Sequence, residues 1–354
     1  MENAIRAVLD TAVWAPSGDN SQPWSFTVRG DIVRVHLDPD RDNPMLNFRL
    51  SGTYIAHGAL IENILLAAPL SGLVAHAHIL PDPTDPLCTA EILFTEMAGN
   101  IDPLANYIRD RHTNRKPYEK EKIGPETFAA FSAAAELISD TKLFLTEDMA
   151  EIRAIAGSSA LMEQVALETP ELRRLFVGDI LWTDGENRSG KPGLFIKTME
   201  LPPPARFLMR RIVNPAFARL VNAIGFARMA RLTNTGLYAS APMMGLVTIA
   251  NESPAAYIAA GRSFERLWLL ATSRGLAFHP VTGILFLARR IDKGDTQGLL
   301  SAHLESIREA NMTIKERFGA GARDIPAMLF RAGHAAPATA RSFRQAPHIT
   351  ATEV

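Results

Sequence analysis

Two short segments carry the residue types that hold a charged small molecule. In Arg111-His112-Thr113-Asn114-Arg115-Lys116-Pro117-Tyr118, two arginines and a hydroxyl occupy every other position. Residues two apart on an extended chain face the same side. Arg111, Thr113 and Arg115 would then converge on one spot, a geometry suited to a phosphate dianion. Lys116 precedes Pro117, which biases it toward extended backbone. The second segment is Ala15-Pro16-Ser17-Gly18-Asp19-Asn20-Ser21-Gln22-Pro23-Trp24. Pro16, Gly18 and Pro23 shape a turn, while Ser17, Asn20 and Gln22 bring neutral donors and acceptors. Together the segments suit a phosphorylated flat ligand with a polar edge, such as flavin mononucleotide (FMN). Its pyrimidine edge alternates donors and acceptors, its ribityl chain carries hydroxyls, and its ring offers a face for apolar packing. Trp24 is expected to anchor the turn in the core rather than touch the ligand. Taken singly, the segments also read as a solvated basic turn and an ordinary helix-to-strand loop.

Other motifs fail. Gly185-Glu186-Asn187-Arg188-Ser189-Gly190-Lys191 matches most of a P-loop, but Pro192 stands where the Mg²⁺-binding hydroxyl belongs, so a surface loop is expected. Asp38, Asp40 and Asp42 begin like a calcium loop, yet its sixth and twelfth positions are Asn43 and Arg49. Gly319-Ala320-Gly321 lacks the third glycine of a dinucleotide fingerprint. Neither G-x-S-x-G nor H-E-x-x-H occurs. His279 and His334 read as structural. The single cysteine, Cys88, excludes an internal disulfide framework and a cysteine-based zinc site. It reads as a small half-buried strand residue rather than a catalytic thiol. No metal is expected.

The elements that must position these residues can be traced along the chain. Its 354 residues, 47% hydrophobic, are enough for a substantial core. The net charge of −1 argues against attachment to nucleic acid by bulk electrostatics. The start carries no cationic leader, and no run of ~20 uncharged apolar residues occurs. A cytoplasmic protein with no integral membrane segment is expected. A helix over 2–14 precedes the turn. Strands over 24–28 and 32–37 follow, joined through Gly30-Asp31, then an apolar helix over 52–72 and strands near 74–80 and 88–95. This completes a first half by about residue 105. The Arg111 segment opens the second half. A helix is expected from Pro125, a strand near 142–146, a helix from about 148, a buried strand over 245–250 and a helix over 255–274 closed by Gly275. A helix over 296–317 and a strand over 326–333 end the series. The lack of strict βαβ alternation favours α+β.

Residues 166–240 read differently. After Pro202-Pro203-Pro204, Arg206, Arg210, Arg211, Arg219, Arg228 and Arg231 occur among apolar residues with no acid between them. The stretch is either a basic amphipathic membrane-surface element or an insertion folded over the body. Asn214-Pro215 and Gly225 break it into short pieces and favour the insertion.

Together these residues resemble the FMN-dependent nitroreductase family. Pro16-Ser17-Gly18-Asp19-Asn20-Ser21-Gln22-Pro23-Trp24 matches the family's P-S-x-x-N-x-Q-P-W turn at every named position. Arg111-His112-Thr113-Asn114-Arg115 resembles its R-x-S-x-R, with threonine for serine. The motif order is reversed, which resembles the fused, pseudo-dimeric Acg-like branch. The resemblance implies a nitroreductase-like fold in two tandem halves, 1–105 and 106–354, mimicking the family homodimer, with 166–240 as a helical lid. It implies one FMN between the halves, in a monomeric pseudo-dimer or a homodimer of these. Arg341-Ser342-Phe343-Arg344 resembles the family's phosphate-binding tail, with Arg341 and Arg344 both candidates. Gly275-Leu276-Ala277-Phe278-His279-Pro280-Val281-Thr282-Gly283 resembles the segment whose backbone faces flavin N5, so Val281, Thr282 or Gly283 would supply that N–H. The implied activity passes hydride from NAD(P)H through the flavin to a small organic acceptor such as a nitro compound or quinone. No side-chain catalyst is then required. The alternatives are an FMN-sequestering protein with a closed lid and an oxidase or dehydrogenase of a small metabolite.

Overall fold

The computed structural model describes residues 1–41, 44–96 and 100–351; Asp42 and Asn43 of the aspartate-rich segment lie outside them. Two separate sheets organise the chain. The first contains β1 (Trp24–Arg29), β2 (Ile32–Leu37), β3 (Leu73–Ile79), β4 (Cys88–Glu96) and β11 (Ile349–Ala351), in the order β11-β1-β2-β4-β3. Its pairs are antiparallel except β1 with β11. Gly30, at φ +61°, closes the β1–β2 hairpin. Phe26, Val33, Val35 and Leu37 point inward, whereas Ser25, Thr27, Arg34 and His36 face outward. Helices α1 (Glu2–Ala12) and α2 (Ser51–Ala67) share the core on the inward side.

The second sheet contains β5 (Thr141–Thr146), β8 (Met243–Ile249), β9 (Ala277–Pro280) and β10 (Ile325–Gly333), in the order β5-β8-β10-β9. It is covered on both faces. Met243, Val247 and Ile249 join the core of the first sheet, along with α3 (Pro125–Glu136) and α11 (Pro254–Ser273). Met244 and Leu246 enter a second cluster built by α4 (Met149–Ser159), α12 (Gly283–Asp292) and α13 (Ser301–Arg317). This explains why β8 reads as an unbroken apolar run. The architecture is α+β.

Within this shared core α2 packs closely against α11. A Cβ on Gly261 would stand 1.9 Å from the Ile55 carbonyl oxygen, and one on Gly58 2.0 Å from that of Ile258. Only glycine permits this approach. Among the described residues one helical stretch, Phe48–Ser71, is long and apolar enough to cross a membrane, but 83% of its most apolar window is buried inside the protein. Its Glu62 accepts from Arg262 Nε at 2.9 Å and Arg266 Nη1 at 2.6 Å.

Residues 161–238 form α5 (Leu161–Glu168), α6 (Pro170–Gly178), β6 (Ile180–Leu181), α7 (Asp184–Arg188), β7 (Leu194–Phe195), α8 (Pro203–Arg211), α9 (Pro215–Ala223) and α10 (Phe226–Tyr238). They bury a small cluster of their own, including Val177, Ile180, Phe195, Met209, Ile212 and Val221. This folded stretch, which overlaps the insertion expected over 166–240, also packs residues of α5, α6 and α10 into the second cluster. Element ends differ from the sequence reading for local reasons. The helix expected over 52–72 ends at Ala67 and continues as a 3₁₀ turn through Pro69, which has no N–H to donate. The helix expected from 296 starts at Ser301, because Gly294 and Gly298 adopt positive φ and Asp295 turns back onto Arg290.

Candidate functional site

A cavity of about 580 Å³ lies where the N-terminal turn, the Arg111 segment, the start of α12, the chain's tail and the insertion meet. The turn is held in costly backbone. Asp19, Asn20 and Gln22 have φ of 48°, 59° and 52°, a conformation that stays only where the surroundings enforce it. Several hydrogen bonds do so. Ser17 Oγ accepts from the Gln22 amide at 2.9 Å, and Asn20 Nδ2 donates to the Phe343 carbonyl at 3.1 Å. Gln22 Nε2 donates to the Gly190 carbonyl at 3.2 Å, and Gln22 Oε1 accepts from the Gln345 amide at 2.8 Å. Trp24 is buried in β1 and anchors the turn from behind, as expected. Pro16, Ser17, Gly18 and Asn20 line the cavity. The buried Asn20 Oδ1 has no protein partner.

Arg111, Thr113 and Arg115 all line the cavity, while Asn114 between them turns away and donates to the Ala336 carbonyl at 2.9 Å. The two arginines do not form one fork. Arg111 is buried between Glu265 Oε1, 3.1 Å from its Nε, and the Trp14 carbonyl, 2.6 Å from its Nη2, with its guanidinium 4.3 Å from the centre of the Trp268 ring. The tail brings Arg341 and Arg344 to the same place, and both line the cavity. Burial, then repulsion from Arg111, drops Arg344 to about 9. Burial pushes Glu265 up to about 7, against the pull of Arg111. Two guanidinium groups thus act on one carboxylate that burial itself discourages from ionising, while Arg341, 4.0 Å from Asp110, repels both of them. Arg115 is in other company. It donates to the Thr198 carbonyl at 3.1 Å and lies in the field of Tyr238 and Asp19. Asp19 is raised to about 6 by burial and by Asp179, and Arg115 opposes the shift. Arg111, Thr113 and Arg115 thus line one cavity, but Arg341 and Arg344 act on Arg111 while Arg115 has partners of its own.

The segment before α12 supplies Pro280, Thr282 and Gly283 to the lining. Val281 is buried beneath it, and its amide donates to the Leu329 carbonyl at 2.8 Å. That amide is unavailable, which leaves Thr282 and Gly283 at the N-terminus of α12. Gln22 likewise stitches the turn from behind and does not line the cavity. His279 is structural, as expected. Its Nδ1 accepts from Arg331 Nε at 3.1 Å, in a buried setting that drives its pKa well down.

Sequence reasoning missed the partners that hold these groups. Glu265 was hidden in α11, although its spacing from Gly261 and Trp268 puts it on the helix's buried stripe. The P-loop-like segment is no simple surface loop. Thr183 and Glu186 cap α7 reciprocally, and the buried Asn187 grips the tail. It donates to the Arg341 carbonyl at 3.0 Å and accepts from the Phe343 amide at 3.1 Å. Away from the cavity, His36, Asp85 and Cys88 bring ligand-type atoms within 4.8 Å of one another, a juxtaposition the single cysteine did not suggest.

No family model matches the chain. The uncharacterised protein MT1398 of Mycobacterium tuberculosis (strain CDC 1551 / Oshkosh) is 25% identical over 350 residues, 96% of this chain and 47% of that protein. A protein of Mycobacterium tuberculosis (strain ATCC 25618 / H37Rv) named as an NAD(P)H nitroreductase, Acg, is 30% identical over 119 residues, 33% of this chain and 36% of that one. The chain thus spans about half the length of MT1398, and the match to Acg covers about a third of each protein. Among solved structures, a nitroreductase with bound FMN from Bacteroides fragilis NCTC 9343 aligns at a TM-score of 0.39 and 11% identity, covering 71% of this chain and 100% of that one. With its two motifs placed around one cavity and its similarity to Acg, the chain resembles the FMN-dependent nitroreductase family.

Proposed function

We propose that the cavity binds FMN and that the protein is a flavin-dependent oxidoreductase. The observation that carries the proposal is the excess of buried cation. Arg111 and Arg344 share Glu265 as their buried counter-charge, and the half-exposed Arg341, 4.0 Å from Asp110, adds to the positive field on both, so a phosphate dianion would supply the missing negative charge. The neutral part of the cavity fits the rest of the molecule. Asn20 Oδ1 is a buried acceptor without a protein donor, and Phe264, Ile55, Ala56 and Phe286 provide apolar lining.

Bound FMN would supply hydride and electron transfer at its ring, which no side chain here can perform. The chain's own part is to bind, orient and polarise. Arg111, Arg341 and Arg344 would hold the phosphate, with Arg111 fixed by Glu265. Ser17 and Asn20 would take the polar edge. The amides of Thr282 and Gly283, at the positive end of α12, would favour negative charge on the adjoining ring. NAD(P)H as electron donor follows the naming of Acg, and a nitro compound or quinone is the acceptor class proposed.

One observation favours a second reading. Asp179, Pro192, Gly193, Leu194 and Thr198 of the insertion line the cavity. A lid placed there suits an FMN-sequestering protein with little turnover. Oxidation of a small metabolite would use the same residues. The deciding experiment is FMN titration by absorbance and fluorescence, followed by anaerobic NADPH or NADH. Flavin that binds and bleaches rapidly supports the oxidoreductase. Flavin that binds, ignores nicotinamide and bleaches with dithionite supports sequestration or oxidase activity. Arg344→Ala should weaken FMN by roughly ten- to a hundredfold and leave riboflavin, which lacks the phosphate, nearly unaffected. Equal loss for both ligands would remove Arg344 from the phosphate site.

A further inference from the structure

Part of the insertion lines the cavity, whereas its helices α8–α10 line none of it and carry exposed apolar side chains. Helices α8, α9 and α10 each bury an inner stripe: Met209 in α8, Ala218 and Val221 in α9, Ala227 and Tyr238 in α10. Large apolar side chains also stand outward. Leu220 is 63% exposed, Ile224 81% and Leu232 72%, with Phe207, Val213 and Met229 also exposed. Leu220 and Ile224 lie one helical turn apart, as do Met229 and Leu232. A helix that faces only water carries polar residues at such positions. Scattered apolar residues need no explanation, but six between Phe207 and Leu232 do.

The charge of this face is as one-sided as its hydropathy. Arg210, Arg211, Arg219 and Arg228 are exposed beside those apolar groups. No aspartate or glutamate occurs between Glu200 and Glu252, although the whole chain carries 37 basic and 38 acidic residues. Arg211 lies 5.0 Å from the Phe207 ring centre, so guanidinium and apolar group share one patch.

We infer that the outer face of α8–α10 docks on an anionic lipid surface, with its apolar side chains entering the headgroup boundary and its arginines reaching the lipid phosphates. The three helices, of 9, 9 and 13 residues, are too short to span a bilayer and suit an in-plane position. A second copy of the chain is the poorer occupant. A symmetric pair would set the same arginines against one another, and this stretch has no carboxylate to answer them. The inference does not depend on the flavin proposal, because no residue of α8, α9 or α10 lines the cavity.

The test is co-sedimentation of the full chain with vesicles of phosphatidylcholine alone and with vesicles containing phosphatidylglycerol. The expected result is binding to the anionic vesicles at least ~tenfold tighter than to the neutral ones, weakened by salt. Leu220→Glu with Ile224→Glu should abolish it. Arg219→Ser with Arg228→Ser should lower it roughly twentyfold. All four positions are exposed, so thermal melts should match the parent chain. Failure to sediment with anionic vesicles, or equal binding to both kinds, overturns the inference. So does a concentration-dependent dimer in light scattering that the glutamate variants dissolve, because the occupant would then be a second copy.

Discussion

The cavity wall and the insertion that partly covers it are held by different means. In the wall, Gln22 joins the turn to Gly190 and Gln345, Asn187 grips the tail at Arg341 and Phe343, and Glu265 fixes Arg111. These are directional polar contacts between segments distant in sequence, and each sets an orientation as well as an energy. The insertion relies on a small apolar cluster around Ile212 and Phe195, while much of its remaining apolar surface faces outward. Such packing tolerates rearrangement better than a polar network does. The difference teaches that positional accuracy was built where cations must meet one anion. The insertion, held by apolar packing, has fewer such directional constraints.

That contrast can be broken or sharpened by substitution. The largest effect is expected where both regions share support. Gly261→Ala would put a methyl 1.9 Å from the Ile55 carbonyl. Separating α2 from α11 should cost about 4 kcal/mol or more, read as a lowered denaturant midpoint, and should abolish ligand binding. Gln22→Ala removes the stitch to Gly190 and Gln345 and should cost about 2–4 kcal/mol. Limited proteolysis should then cut the tail near Gln345 early. An uncut tail would mean that the remaining ties, from Asn20, Asn187 and β1, suffice to hold it. Ile212→Ala, in the insertion's core, should cost about 2–4 kcal/mol locally. Hydrogen exchange should speed up over 170–223 and stay slow over 254–273. Equal acceleration in both would show that the insertion is no separate unit.

The smallest effect is a pH dependence. Asp19 moves from 3.8 to about 6 on folding, first through burial and then through Asp179. Below 3.8 both folded and unfolded chains keep the proton. Between those values the unfolded chain releases it first, so the folded state loses stability as pH rises, and the penalty is complete above about 6. Asp19→Asn should therefore stabilise the protein above that pH by about 1–2 kcal/mol, allowing for the residue's partial exposure, with no gain near pH 4. Asparagine also tolerates the left-handed backbone at this position. Melting curves across that range read the effect.

Much of this was legible in the chain. The apolar alternation of 24–28 and 32–37 gave the hairpin, and the unbroken run at 245–249 gave a strand covered on both faces. The two-residue spacing of Arg111, Thr113 and Arg115 placed all three on the cavity side. Spacing gives a side but no distance, so it could not show Arg115 drawn toward Asp19 and Thr198 while Arg111 turned to Glu265. Asn187 and Glu265 escaped for a related reason. Their importance comes from partners over 70 residues away, and no local pattern records such a partner. The short helices of 161–178 escaped because their apolar residues are split between two clusters rather than forming one regular stripe.

The tail threads through everything described. After β10 it carries Arg341 and Arg344 into the cavity, then lies parallel to β1, pairing Phe26 with Ile349. The first strand made by the ribosome is therefore completed by a segment made more than 300 residues later. Until that segment emerges, Arg111 lacks its companions and the turn at Asn20 lacks its partner at Phe343. A chain interrupted before that segment would leave the edge of β1 unpaired and Arg111 without the neighbouring charges of Arg341 and Arg344.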